Sequence, residues 1–274
     1  HRCPRLIFSY RNQWPAISGT FVQYSISYDQ HIEQLYGGIG INVLADDAGE
    51  GTIKSLLGSL MYSYSLHVTR YFTIKMALQV SYFQKWLDWN KLVFPDMIDP
   101  RYGFIYQTKD YRSSDKQGYP DFAAGILGYT NMFYGGVAVH HLFEPKEGFV
   151  SAGGKLPRKY TVHVGAYIPI AKKSEEGAIS PNILFQQQQD FTQLNIGLYF
   201  VKQPFVAGLW YRNQDAFIAL LGIYYGILRF GYSYDLTISK LSISTGGSHE
   251  VSIGLYLHCR PKKRKFRPIQ CPSF

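Results

Sequence analysis

Charge is scarce in this chain. Only 17% of its residues are Asp, Glu, Lys or Arg, where a soluble chain carries about 25%, so a conventional cytosolic enzyme fits poorly. Long apolar runs are missing too. A helix needs about 20 apolar residues to cross a bilayer, and the nearest candidate, Phe217 to Leu228, is interrupted by Gly222 and Gly226 and runs into Arg229. That excludes a bundle of membrane helices. No secretory signal opens the sequence, because His1-Arg-Cys-Pro-Arg5 leads straight into patterned segments, so the chain reads as a mature or truncated form. Cysteines number only three.

What is present points elsewhere. With 46% apolar residues the chain is far too hydrophobic for disorder, and 23 Tyr, 18 Phe and 26 Gly stand beside abundant Ser and Gln. The formal charge of +9 suggests nucleic acid until it is located. Six of the nine charges belong to Arg260, Lys262, Lys263, Arg264, Lys265 and Arg267, leaving +3 elsewhere. A tail of that kind is either a solvated segment or a docking element for an acidic partner. No nucleic-acid partner is expected.

Period two dominates the rest. Val251, Ile253, Leu255 and Leu257 alternate with Ser252, Gly254, Tyr256 and His258, and Phe72, Ile74, Met76, Leu78, Val80 and Tyr82 alternate with Thr73, Lys75, Ala77, Gln79 and Ser81. Counting this pattern along the chain predicts fourteen strands, near residues 6–14, 20–28, 36–45, 53–68, 71–83, 121–129, 134–142, 158–170, 179–187, 191–201, 205–211, 216–225, 227–238 and 249–259. A soluble β-sandwich would carry Lys, Glu and Thr on its second face. Here that face is Gly, Ser, Gln and Tyr. Segments of about ten residues with one greasy face, rich in aromatics at their ends, are what a transmembrane antiparallel β-barrel uses. Lipid offers no hydrogen bonds, so such a sheet must close on itself.

Connection lengths orient the predicted barrel. Turns on one side are short, at Thr69-Arg70, Thr130 to Phe133, Lys202 to Pro204 and Gly226, while the other side has 84–120, 143–157 and 239–248. Outer-membrane barrels have short periplasmic turns, which places both termini in the periplasm; gaps 29–35 and 171–178 are longer than that rule expects. The expected division is a barrel over 1–259 and a basic periplasmic tail over 260–274. The longest connection contains Trp86, Trp89, Phe94, Tyr102, Phe104 and Tyr106. So much aromatic surface should fold over or into the barrel mouth as a plug, or else meet a partner.

Particular strings then become recognisable. Tyr10-Arg-Asn-Gln-Trp14, Gly38-Ile-Gly-Ile-Asn-Val-Leu-Ala-Asp-Asp-Ala-Gly49, Pro120-Asp-Phe-Ala-Ala-Gly-Ile126, Gly208-Leu-Trp-Tyr-Arg-Asn213, Gly231-Tyr-Ser-Tyr-Asp-Leu-Thr-Ile-Ser-Lys-Leu241 and Gly246-Gly-Ser-His-Glu-Val-Ser-Ile-Gly254 occur in that order. Together they resemble the PorP/SprF family of Bacteroidetes outer-membrane proteins. The resemblance implies a barrel of the type IX secretion system, which exports surface proteins and, in some members, gliding adhesins. It implies as partners either the periplasmic lipoprotein ring of that apparatus or an individual secreted surface protein. The chain departs from the family pattern at its start, where an Asn-Pro-Ala stretch is expected before the first strand.

Chemistry adds little to that reading. Barrel closure would bring Cys3 and Cys259 together with Cys271 within reach, so a disulfide from Cys3 to either is feasible in an oxidising periplasm; three free thiols is the alternative. His140 and His141 should point to opposite faces of one strand, which argues against a shared metal, and no metal or cofactor is expected. His249-Glu250 is expected to form hydrogen bonds at a rim. No Gly-x-Ser-x-Gly nucleophile motif occurs, so no catalytic residue is assigned and no enzymatic activity is expected. The inward charges Arg11, Lys75, Arg229, Asp235 and Glu250 need pairing or hydration, or else serve solute selectivity. The reading that results is a non-enzymatic outer-membrane barrel that binds proteins; the alternative is an outer-membrane pore or hydrophobic-solute transporter.

Overall fold

The computed structural model describes residues 3–17, 19–92, 94–106, 108, 114–149, 154–170, 177–238 and 246–257. Fourteen strands form one closed antiparallel barrel. They are β1 (Arg5–Gln13), β2 (Phe21–Ile32), β3 (Gly37–Ala48), β4 (Ile53–His67), β5 (Thr73–Leu87), β6 (Lys116–Tyr129) and β7 (Phe133–His140) in the first half. The second half contains β8 (Lys159–Ala166), β9 (Ala178–Gln188), β10 (Phe191–Lys202), β11 (Phe205–Arg212), β12 (Ala216–Tyr225), β13 (Leu228–Thr237) and β14 (Ser248–Tyr256). Each strand pairs with its neighbours in sequence. The ring closes where β1 meets β14, with Arg5 opposite Tyr256 and Gln13 opposite Ser248.

The alternation in the sequence becomes an outside and an inside. Phe8 lies opposite Ile26 and Ile26 opposite Val43; Leu60 lies opposite Val80, and Ile126 opposite Val137. These side chains are exposed, as are Leu78 at 64% and Leu209 at 70%. In water such a belt would be untenable; against hydrocarbon it is what the sheet requires. Among the described residues no helix is long and apolar enough to cross a membrane, so the crossing is made by strands. The inner face is polar. Ser59, Ser81, Asp121, Asn182, Asn195, Ser233 and Asp235 are buried there.

Several boundaries differ from the sequence expectation, the largest differences being extensions. β5 continues to Leu87 and β6 begins at Lys116, so Trp86 and Tyr119 are strand residues and the longest connection shrinks to 88–115. β2 runs on to Ile32, which reduces the long gap expected at 29–35 to a short 3-10 turn at Glu33–Leu35. Where strands leave the belt their outer face turns polar, alternation fades as a signal, and backbone pairing continues without it. Other expected strands are too long: 134–142, 227–238 and 249–259 end early at His140, Thr237 and Tyr256, and 158–170 stops at Ala166, where a separate two-residue piece, Ile168–Pro169, pairs with the start of β9.

The two rims differ. The terminal rim, where residues 5 and 256 lie, is joined by short connections except 167–177. The opposite rim has the two longest, 88–115 and 141–158, beside tight turns at 49–52, 189–190 and 213–215.

Candidate functional site

The inner wall carries a knot of charges built from strands and one tight turn. Arg11 on β1 donates from Nη2 to Asp235 of β13 at 2.8 Å and from Nη1 to Glu250 of β14 at 3.1 Å. Arg212, at the end of β11, lies 3.6 Å from the same Asp235, donates to Asp215 at 3.1 Å, and donates from Nε to Asn195 at 3.3 Å. Asp235 is thus the hub between two guanidiniums, with its side chain only 4% exposed. These are three of the inward charges that alternation predicts, and the fold pairs them. Arg229 finds another solution: its guanidinium sits 4.3 Å from the ring of Tyr224 and 3.7 Å from that of Tyr256. Lys75 lies 5.9 Å over the Tyr129 ring.

A second knot joins strand to connection. Glu147, in a two-residue strand at Lys146–Glu147, pairs with Lys85 of β5 and accepts from the Tyr119 hydroxyl of β6 at 3.1 Å. Beside it the Gly148 amide donates to Gln117 at 2.8 Å. Tyr119 stacks on Phe83 at 5.4 Å. Because Lys85, Gln117 and Tyr119 all belong to the inner face, the 141–158 connection turns inward against the β5–β6 wall. His141 follows it. The residue has φ 56°, so it leaves the strand's alternation and bonds through Nδ1 to Asp121 at 2.9 Å, its ring 6.5 Å from that of His140. This corrects the expectation of opposite faces, since alternation holds only while the backbone stays extended. Among the described residues no three His, Cys, Asp or Glu side chains gather as a metal site.

The aromatic connection 88–115 is held differently. The Asp88 amide donates to Thr52 at 2.9 Å and the Lys91 ammonium donates to the Glu50 carbonyl, tying its start to the 49–52 turn. Trp89 stacks on Phe94 at 6.2 Å and donates to the Ser114 carbonyl at 3.3 Å. Farther out, Asp99 accepts from the amides of Arg101 and Tyr102 at 2.8 and 2.9 Å and from the Tyr106 hydroxyl at 3.1 Å. Those donors, the two amides first, hold its carboxyl below the ordinary carboxylate range. Tyr102, Ile105 and Tyr106 stay exposed. The side chain of Phe104 lies outside the described residues, although its backbone pairs with Ile98. Trp86, on β5, lines a cleft of about 700 Å³ with Tyr24, Ala45 and Leu56, at the margin of the apolar belt.

The remaining sequence candidates divide between seen and unseen. Cys3 is disulfide-bonded, and the other two cysteines, Cys259 and Cys271, lie outside the described residues. So do Arg260, Lys262, Lys263, Arg264, Lys265 and Arg267 of the basic tail. The Leu257 amide donates to the Pro4 carbonyl at 3.0 Å, so pairing of the two chain ends continues to the last residues described. His249 bonds to the Tyr232 hydroxyl at 2.8 Å, while its neighbour Glu250 belongs to the knot. Sequence reasoning missed Lys85, Arg212, Tyr224 and Glu147. Alternation places the first three inward, whereas nothing in a connection announces that Glu147 will turn back.

A closed fourteen-stranded barrel whose apolar face points out and whose charges pair within is an outer-membrane protein. The family description "Type IX secretion system membrane protein PorP/SprF" matches residues 1–255. The chain belongs to the PorP/SprF family. This PorP/SprF protein therefore resides in the outer membrane, and its partners include other components of type IX secretion. No curated protein matches its sequence. Among solved structures, the toluene transporter TbuX of Ralstonia pickettii is similar at TM-score 0.53 and 8% identity, over 94% of this chain and 90% of that one. The monoaromatic hydrocarbon channel CymD gives 0.50 at 12% identity, over 94% and 90%. A FadL homologue of Pseudomonas aeruginosa gives 0.50 at 11%, with the same coverage. At such identities the likeness is one of fold.

Proposed function

We propose that this barrel is a non-enzymatic, protein-binding member of the type IX secretion apparatus, with its termini in the periplasm, attached to the periplasmic lipoprotein ring or anchoring one secreted surface protein. The observation that carries this reading is the exposed cluster of Tyr102, Ile105 and Tyr106 at the rim opposite the termini. It lies on a connection fastened to the barrel's 49–52 turn, outside the strands, and apolar surface of that kind marks a protein contact. The long connections at that rim support its assignment to the outside. The basic tail from Arg260 onward supports a second, electrostatic contact with an acidic periplasmic surface, which should weaken as salt rises.

Recovery of partners from membranes in mild detergent tests both surfaces. Replacing Tyr102, Ile105 and Tyr106 by Ala should remove the surface-protein partner, and deleting 261–274 should remove the periplasmic one. Unchanged recovery in both variants would sink the proposal. A second reading, a hydrophobic-solute transporter, is favoured by the cleft beside Trp86, whose open surface is mostly apolar although Asp46, Asp47, Asp88 and Asp115 rim it. Planar-bilayer conductance and solute uptake separate the two. A protein-binding barrel with paired charges and an inward-turned connection should pass almost no current; large, open-state conductance or uptake would favour transport.

A further inference from the structure

We infer that the inner wall holds a binding site for a neutral saccharide, in a cavity of about 340 Å³ bordered by Trp210, Tyr199, Gln186, Gln193 and Arg212. This goes beyond the protein-binding reading and does not rest on it.

The floor of the cavity is aromatic because two glycines permit it. Trp210 lies opposite Gly197 on the neighbouring strand, and a Cβ at Gly197 would run into the indole. The ring therefore lies across bare backbone. Tyr199 does the same over Gly208. The two rings meet edge to face, 5.7 Å apart at 72°. Leu184, Ile218 and Leu220 extend this corner of flat apolar surface, the kind on which the C–H face of a sugar ring stacks, beside Ser, Asn, Gln and paired charges.

Around that corner stand planar polar groups. Gln186 and Gln193 face each other across β9 and β10, and Asn195 receives a bond from Gln193 at 3.2 Å and another from Arg212. An amide offers a donor beside an acceptor and a guanidinium offers paired donors, matching adjacent hydroxyls of a sugar. Neutrality follows from the charges. Arg11 and Arg212 already face Asp235, Glu250 and Asp215, so an anionic ligand would have to compete with existing ion pairs, Asp235 among them buried, whereas a neutral polyol adds bonds without doing so. The volume sits at the small end of ligand pockets, roughly 300–1,000 Å³, and suits a mono- or disaccharide.

The test uses the full chain in detergent, titrated with galactose, maltose and cellobiose and followed by saturation-transfer NMR and calorimetry. At least one sugar should bind saturably in the millimolar range. Trp210→Ala should weaken it about tenfold, about 1.4 kcal/mol, Gln186→Leu several-fold, and Trp210→Phe little. Heat-dependent gel mobility establishes that each variant is a folded barrel, and its secretion partners should be recovered as before. Competition by the same sugar carried on albumin assigns the ligand to a tethered glycan, and its failure to compete assigns it to a free solute. Absence of saturable binding by all three sugars overturns the inference, as does binding indifferent to both Trp210→Ala and Gln186→Leu. Glucuronate bound more tightly than every neutral sugar also overturns it.

Discussion

The two charge knots of the lumen are chemically alike and structurally opposite. In the Asp235 knot every member is a strand or tight-turn residue fixed by the barrel's own pairing: Arg11 on β1 with Asp235 and Glu250, and Arg212 on β11 with Asp235 and Asp215. Around Lys85 the carboxylate arrives on the 141–158 connection, which is joined to the wall by Glu147 and Gly148. Charges held by the sheet contribute to the barrel itself. Charges supplied by a connection decide only where that connection lies. The same contrast separates the lipid belt, fixed by register, from the aromatic connection, fixed by a few hydrogen bonds.

The largest effect should come from a charge in the belt. Leu78→Arg places a cation on the lipid face and should cost about 2–4 kcal/mol if the residue lies near the bilayer midplane. Refolding into vesicles measures it, and a negligible effect would place Leu78 at an interface. The hub should come next. Asp235→Ala removes the shared carboxylate from two guanidiniums that keep Glu250 and Asp215, and loss of a charged hydrogen-bond partner there should cost about 1.5–3 kcal/mol. Urea titration in detergent, read by heat-dependent gel mobility, should show that loss; a change below about 1 kcal/mol would mean that lumen water already screens the knot.

Glu147→Ala should barely alter unfolding of the barrel, by less than about 1 kcal/mol, yet should release the 141–158 connection. Limited proteolysis there should quicken several-fold while cleavage in 88–115 stays constant. Equal resistance in variant and parent would show that the inward turn is held by other contacts.

The smallest effect concerns Asp99. Its folded carboxyl titrates below the ordinary value, so its ties to Arg101, Tyr102 and Tyr106 add stability above that ordinary value and lose it as the pH falls through the lower, folded one. Hydrogen exchange at the amides of Arg101 and Tyr102 should therefore rise on acidification, and Asp99→Asn should flatten the response. A pH dependence unchanged in that variant would assign it to another group.

How much of this was legible in the sequence follows the same division. Fourteen strands, their inner and outer faces and the inward placing of Arg11, Asp235 and Glu250 all follow from period two, because a pleated strand turns alternate residues to opposite sides. The extra turns of β5 and β6 beyond the belt did not, since polarity on both faces hides alternation. Trp86 accordingly moved from connection to strand. The family strings gave the secretion context, which no spacing implies.

Composition and alternation by themselves determined that this chain is a sheet with a hydrocarbon face, since low charge without long apolar runs leaves no other way to cross lipid. What each side chain meets was decided by tertiary pairing, and across the seam only by closure. Closure brought Arg11 onto Asp235, while hairpin register seated Trp210 upon Gly197 and the 141–158 connection turned Glu147 back onto Lys85. Residues as distant in sequence as Arg11 and Asp235 become neighbours only when the first strand meets the last. Periodicity states which way a side chain points; it is silent on what it will meet.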